Sequence, residues 1–386
     1  MKRLFLVLTL FCLACFNIFS LDFNIAGEFD AYGISAFENA DHQSTSTLIQ
    51  NDLNFVVFSE NNSRFSLQLV SLAQLFSANN AVTNNVNQLF IQFPVMDSGV
   101  FYVGKKVVNL GLSRKYSLFN RINPVTLGSF SSSVNGTGII EFDAFFNDLL
   151  NFQALLYYGD FSRTSTTDTF SFGNLNGLLK YDLYHYPMTL SALLYAEGFR
   201  DLLYGLSGSW QLFNGIFYLN YLYKPYNDRR AAGTLIADSF ANNSSLLFGL
   251  RYYIIGGVAL NYEYLYNGNG FSSGELDDYL STGNFQSISG YFNVNNWARH
   301  NMFLSAMWNP PFLQSMSVGS QFQLLAPTFV DTEYIGFIFS PYASYSFSQN
   351  IGAFLSMRFP FGGELSYFDF SNRKQVEVML ELSFRY

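Results

Sequence analysis

Taken in steps of two, the eleven residues from Val376 to Tyr386 separate into two faces. Val376, Val378, Leu380, Leu382, Phe384 and Tyr386 make one; Glu377, Met379, Glu381, Ser383 and Arg385 make the other. Side chains of a strand alternate between its two sides, so this stretch predicts one strand with an apolar wall and a charged wall. Its length suffices to cross a bilayer at a tilt. The same period recurs upstream: Phe152, Ala154, Leu156 and Tyr158 alternate with Asn151, Gln153 and Tyr157. Val258, Leu260, Tyr262, Tyr264 and Tyr266 alternate with Asn261 and Glu263, and Ile140, Phe142, Ala144 and Phe146 with Glu141 and Asp143. The polar faces carry mostly Ser, Asn, Gln, Gly and Tyr, where a soluble sandwich would carry many Lys and Glu. Such a wall suits an aqueous lumen inside a closed transmembrane barrel.

Eighteen strands are predicted. They cover 22–34, 48–58, 63–73, 87–94, 99–105, 137–146, 150–159, 173–183 and 187–196. The remainder are 202–213, 215–224, 243–254, 257–266, 299–308, 314–325, 333–347, 350–359 and 375–386. Every second connection is short, around Glu60-Asn61-Asn62, Met96-Asp97-Ser98, Asn147-Asp148, His185-Tyr186, Asn214, Gly256, Asn309-Pro310-Pro311 and Gln349. Most hold Asn, Asp, Gly or Pro, which tolerate turn geometries. The intervening connections are mostly longer, notably 106–136, 225–242 and 267–298, with 197–201 the short exception. Short turns at one end and long loops at the other are what an outer-membrane barrel requires, with an even strand count. The fold class is therefore all-β, a transmembrane antiparallel up-and-down β-barrel of about 18 strands. Sixteen is the alternative, with Asp22–Ile34 as a plug or tether or with another of these segments not a strand.

Composition narrows the function. Charged residues make up 12% of the 386-residue chain and aromatics 19%, with 44 Phe and 26 Tyr. A soluble domain carries about a quarter charged residues. Beyond the first twenty or so residues no run of about 18 apolar residues occurs, so no further spanning helix is predicted. The net charge of −8 argues against nucleic acid, which needs a basic surface. Tyr158, Tyr223, Tyr264 and Tyr266 fall at outer strand ends, and Trp210, Trp308 and Tyr386 near inner ends, the two interface levels that favour amphipathic rings.

Residues 1–20 read as an export signal. Lys2 and Arg3 precede the apolar run Leu4–Cys15, and Ser20 is a small residue at a cleavage point. An uncleaved anchor helix and a lipoprotein-type site at Ala14-Cys15 are the competing readings. Cleavage after Ser20 removes Cys12 and Cys15, leaving residues 21–386 as one cysteine-free barrel.

The carboxy-terminal strand, with Leu380, Leu382, Phe384 and Tyr386 on its apolar face and Phe384-Arg385-Tyr386 as its end, resembles the assembly signal of Gram-negative-type outer-membrane porins. A second resemblance lies in Gly104-Lys105-Lys106-Val107-Val108-Asn109-Leu110-Gly111 followed by Asn123-Pro124. Porin-like barrels show Gly-Arg at a strand end, then Trp-Gly, then Asn-Pro. Lys105 stands here for Arg and Leu110 for Trp, so no subfamily is assigned. The Asn-, Phe- and Tyr-rich composition suits a low-GC organism such as a spirochaete. The resemblance implies location in the bacterial outer membrane, contact with its lipid and with the barrel-assembly machinery, and passage of small hydrophilic solutes or ions. It also leaves room for a homo-oligomer.

Lys105, Lys106, Arg114, Lys115 and Arg121 cluster at the start of the 106–136 connection in an otherwise acidic chain. In porins this loop often folds inward. Facing Glu141 and Asp143, the cations would form a pore constriction whose transverse field filters solutes. The plainer reading leaves them solvated or bound to anionic lipid. Arg251, Glu263, Glu377, Glu381 and Arg385 are expected to line the lumen, joined by Arg64, Lys180 and Arg358; mutual pairing that only avoids unpaired buried charge is the bland alternative. No enzyme is expected: His42, His185 and His300 are the only histidines, too sparse for a catalytic or metal constellation, and no cofactor is implied. The alternative function is a surface adhesin or selective uptake barrel without an open pore. Loop 267–298, with Glu275, Asp277 and Asp278, would then bind a ligand or Ca²⁺.

Overall fold

The computed structural model describes residues 21–39, 42–59, 63–75, 81–95, 98–108, 110, 115–116, 118–119, 137–158, 175–198, 201–224, 244–268, 270–281, 298–363, 366 and 376–385. Eighteen strands form one sheet. They are β1 (Leu21–Asn39), β2 (His42–Ser59), β3 (Arg64–Leu75), β4 (Ala81–Val95), β5 (Gly99–Lys106), β6 (Thr137–Asn147), β7 (Leu150–Tyr158), β8 (Leu175–His185) and β9 (Met188–Glu197). Then come β10 (Asp201–Leu212), β11 (Gly215–Tyr223), β12 (Ser244–Ile254), β13 (Val258–Asn267), β14 (His300–Trp308), β15 (Met316–Ala326), β16 (Gly336–Ser346), β17 (Ile351–Gly362) and β18 (Val376–Arg385).

Each strand pairs antiparallel with its sequence neighbours, and β1 also pairs with β18 from Glu28↔Arg385 to Phe37↔Val376. The sheet is thus a closed ring in which no strand is left as an edge. Because β1 is a wall strand, the sixteen-strand alternative with a plug at Asp22–Ile34 is corrected.

Three strands run further than their apolar pattern. β1 and β2 pair all the way to Asn39↔His42, so the first connection is a tight hairpin where the pattern predicts a loop over 35–47. β4 begins at Ala81, six residues before the predicted start. The extensions are rich in Ser, Thr, Asn and Gln. Beyond the hydrocarbon zone both faces of a hairpin can meet water, so pairing continues without an apolar side.

Between those limits the alternation holds. On β10, Leu206 is 59% exposed while its neighbour Leu203, three residues away on the other face, is fully buried. Tyr204, Trp210 and Leu212 share the face of Leu206; Ser207, Ser209 and Gln211 share that of Leu203. Leu380, Leu382 and Phe384 are likewise exposed on β18, with Met379 buried on the opposite face. Among the described side chains the exposed side is an apolar belt, and the inner side mixes Ser, Asn, Gln and charged residues with buried Leu and Tyr.

Turn chemistry fixes the short-turn end. Asn147 Oδ1 accepts from the N–H groups of Leu149 and Leu150 at 2.9 and 2.8 Å, closing the β6–β7 hairpin. At the β12–β13 turn, Gly257 adopts φ +83°, and a Cβ there would stand 2.2 Å from the Asn309 carbonyl oxygen, so only glycine fits. Two elements among the described residues depart from the all-β expectation. Within 267–298, residues Ser273–Ser281 form a helix, α1, and a 3₁₀ turn covers Thr332–Tyr334. Ser272 and Glu275 make a reciprocal capping box, with Ser272 N–H donating to Glu275 Oε2 at 2.8 Å.

A charge on the belt side would face lipid at a cost of about 2–4 kcal/mol. Leu380→Arg is therefore expected to reduce the amount of assembled barrel in outer-membrane fractions much more than Glu381→Ala. Equal recovery of both would overturn the assignment of faces on β18.

Candidate functional site

After Lys106 the chain leaves β5 and turns into the ring. Val108, Leu110 and Phe119 are buried among inward residues of β6–β11, including Leu155, Leu178 and Leu203. Tyr116 is buried in a second cluster with Tyr218, Leu247 and Phe303 of β11, β12 and β14, joined by Leu276 of α1. In a ring of eighteen, β14 is nine places from β5 and so stands on the opposite wall. The segment from Lys106 to Phe119 thus reaches across the lumen and returns.

Glu263 of β13 secures it. The carboxylate is fully buried. Its Oε2 accepts from the backbone N–H groups of Lys115 and Tyr116 at 3.0 and 2.9 Å, and its Oε1 from Tyr218 Oη–H at 2.6 Å. Tyr218, Gly249 and Glu263 are register partners on β11, β12 and β13. A Cβ on Gly249 would lie 2.0 Å from the Tyr218 ring, so glycine lets the ring cross one strand to reach the carboxylate. Two further bonds hold the returning chain: Tyr116 Oη–H to the Met302 carbonyl at 3.2 Å, and Tyr195 Oη–H to the Phe119 carbonyl at 2.5 Å. Among these anchors only Glu263 is legible in the sequence as an inward charge. Tyr116, Tyr195 and Tyr218 carry no local signal that separates them from the other tyrosines.

The charged wall assembles beside the root of the segment. Lys106 Nζ lies 2.7 Å from Glu141 Oε2 and 3.5 Å from the centre of the Tyr102 ring. Gln153 donates to Glu141 Oε1 at 2.6 Å, and Asp143 is the register partner of Gln153. Further round, Lys180 and Asp182 pair at 2.8 Å. Lys105 is not in this group: β5 alternation sends it to the opposite face, where its ammonium donates to the Val86 carbonyl at 2.5 Å. Lys115 lies on the infolded segment with its ammonium 5.7 Å from the centre of the Phe303 ring. Burial, helped by the nearby Arg358 cation and opposed by Glu263, lowers its pKa to about 8. Arg114 and Arg121 lie outside the described residues.

Of the other predicted lumen residues, Arg251 is half-buried on the inner face, in register with Asn261. Glu377 pairs with Arg358 at 3.1 Å, and Glu381 shares its face of β18. Arg385 ends β18 opposite Glu28, and Tyr386 lies outside the described residues. The acidic loop residues have other partners: Glu275 is 3.2 Å from Arg299, and Asp277 accepts from Tyr334 Oη–H. No group of three or more His, Cys, Asp or Glu suited to a metal occurs among the described residues. His300 contacts rings, with Tyr264 Oη 2.8 Å from its Nδ1 and Phe329 packed beside it.

Glu263→Ala would strand two backbone N–H groups and a phenol in the interior, each costing about 1–3 kcal/mol. The expected result is new tryptic cleavage after Lys115 in an otherwise intact barrel, detected by mass spectrometry. Glu263→Gln, which keeps an acceptor oxygen, should remain largely protected.

No protein-family model matches the sequence, and no curated protein is significantly similar to it. Solved structures are similar in fold. Acinetobacter baumannii OccAB1 superposes with a TM-score of 0.62 at 10% identity, covering 95% of this chain and 96% of that one. Pseudomonas aeruginosa OccK5 (OpdH) gives 0.60 at 10% identity, over 94% and 98%. P. aeruginosa OccK2 (OpdF), solved in complex with glucuronate, gives 0.59 at 12% identity, over 94% and 98%. These proteins are outer-membrane porins, and at such identities the likeness is one of architecture. The chain has the antiparallel barrel fold of the Pseudomonas and Acinetobacter Occ porins.

Proposed function

We propose that this protein is a bacterial outer-membrane porin through which small hydrophilic solutes or ions diffuse with weak selectivity. Residues 1–20 are its cleaved export signal, and the short-turn end faces the periplasm. One observation carries the reading: a segment rooted at Lys106 enters the closed ring and is fixed to the opposite wall by Glu263. An infolded strap of this kind narrows an aqueous lumen to solute size, and the charges beside it bias what passes. Lys106, Lys115, Glu141 and Asp143 form the constriction in this reading, with Arg114 and Arg121 further along the same connection. Leu380, Leu382 and Phe384 on the exposed face of β18, together with Tyr386, form the assembly signal. The chemistry offers no covalent step; the wall supplies hydrogen bonds and a transverse field in place of bulk water.

The Occ likeness supports this reading at the level of fold, and the glucuronate bound to OccK2 is a property of that protein. Single-channel recording of the purified protein in planar bilayers, with reversal potentials in KCl gradients, tests it. Stepwise conductance is expected; a sealed barrel would favour a surface adhesin.

Selectivity should also depend on pH. Lys115 is charged below its pKa of about 8 and neutral above it. The chloride-to-potassium permeability ratio is therefore expected to fall as pH rises through that value. Lys115→Met should show the lower ratio already at neutral pH and lose the step.

A further inference from the structure

Between the strap and the short-turn end, the inner face of β8–β11 holds a recess of about 560 Å³, inside the range of small-molecule sites. Four hydroxyls line its floor. Ser191 and Ser207 are register partners on β9 and β10, and Thr189 and Ser209 are the next inward pair. They stand at the corners of a rectangle of roughly 5 by 7 Å, set by strand spacing and rise. The ring of Tyr184, 41% exposed, flanks them on β8, and half-buried Ile216 flanks them on β11. The strap closes the outer side. Phe119 lies against Leu193 and fills the place where Gly205 has no side chain; a Cβ there would stand 2.8 Å from the ring.

The charges of the recess are satisfied by each other. Lys180 Nζ lies 2.8 Å from Asp182 Oδ2, and the Asp182 side chain keeps 3% of its surface. Tyr184 Oη–H donates to the same oxygen at 3.4 Å. A charged or zwitterionic solute would have to break this pair before either charge could hold it, whereas a neutral solute would not. The hydroxyls are in the opposite condition. Ser207 Oγ–H donates to Asn220 Oδ1 at 2.7 Å, which leaves its lone pairs to accept from the recess. Thr189, Ser191 and Ser209 are half-buried, and their hydroxyls have no protein partner among the described residues. Each can donate one bond and accept two.

We propose that this recess is a binding site for a neutral polyhydroxylated solute, a monosaccharide or a polyol. Hydroxyls of the ligand would exchange bonds with the four on β9 and β10, while its C–H surface lies against the Tyr184 ring and Ile216. Water satisfies the same hydroxyls but leaves that apolar flank uncovered. The site stands on the barrel wall and the strap alone, and binding there does not require passage through the ring.

The test is saturation-transfer NMR on the purified full chain in a sugar-free zwitterionic detergent, with glucose and sorbitol as probes. Both are expected to bind, and gluconate and glucosamine to bind more weakly. Thr189→Val with Ser191→Ala removes two hydroxyls that no protein group uses, and should raise the dissociation constant for glucose about tenfold. Ser344→Ala, on the inner face of β16, should leave it unchanged. Ser191→Leu with Ser207→Leu fills the recess and should abolish binding, with heat-modifiable migration on gels reporting an intact barrel; where that barrel fails to form, the Val/Ala pair decides. No glucose signal, or one unchanged in the Val/Ala pair, would overturn the site. Tighter binding of gluconate or glucosamine than of glucose would overturn the assignment to neutral solutes. Conductance in planar bilayers without glucose binding would remove the site and leave the channel reading, and glucose binding to a sealed barrel would do the reverse.

Discussion

Closure of the backbone ring is the constraint on which everything else depends. In hydrocarbon a strand edge leaves N–H and C=O groups with no partner, each a cost of several kcal/mol. Ten register pairs between β1 and β18 complete the hydrogen bonding that the other strands begin. Once the ring is closed, side-chain direction is no longer free. Each strand must put one set of alternate residues toward lipid and the other toward the interior, and the sequence honours this with Leu, Phe and Tyr outside and with Ser, Asn, Gln and paired charges inside, joined there by the Leu and Tyr that pack on the infolded segment. The same closure sets the interior span that the segment after β5 has to cross.

That crossing depends on one buried carboxylate. Glu263 compensates its own desolvation by accepting from two strap N–H groups and the Tyr218 phenol. The strap is thereby placed by a hydrogen-bonded centre and then covered by two apolar clusters. Polarity gives the position and apolar packing gives the seal.

Much of the barrel was legible because its strands carry the period-two signal that closure imposes. Eighteen strands, the short-turn end and the faces of β18 all follow from alternation and turn residues. What escaped did so for identifiable reasons. The long polar parts of β1, β2 and β4 lack an apolar face, so they read as loop although their backbones pair. Helix α1 had its Ser272–Glu275 capping signal in the sequence, but one short helix inside a long connection is masked by its acidic composition. Lys105 and Lys106 are adjacent and chemically alike, and only strand parity separates them. The anchoring roles of Tyr116, Tyr195 and Tyr218 arise from contacts across 45 to 186 residues of chain, which no local pattern encodes.

The strands are unequal in length. β1 and β2 have 19 and 18 residues, whereas β5 and β7 have eight and nine. At about 3.3 Å per residue, β1 is roughly 60 Å long, well beyond the ~25 Å apolar band even after a tilt of about 40°. Against β18 the excess lies mainly at the short-turn end: Leu21–Gly27 continue past the last pair with that strand, Glu28↔Arg385, and remain paired with β2. The chain thus enters the ring as a two-stranded ribbon before the closing strand joins it.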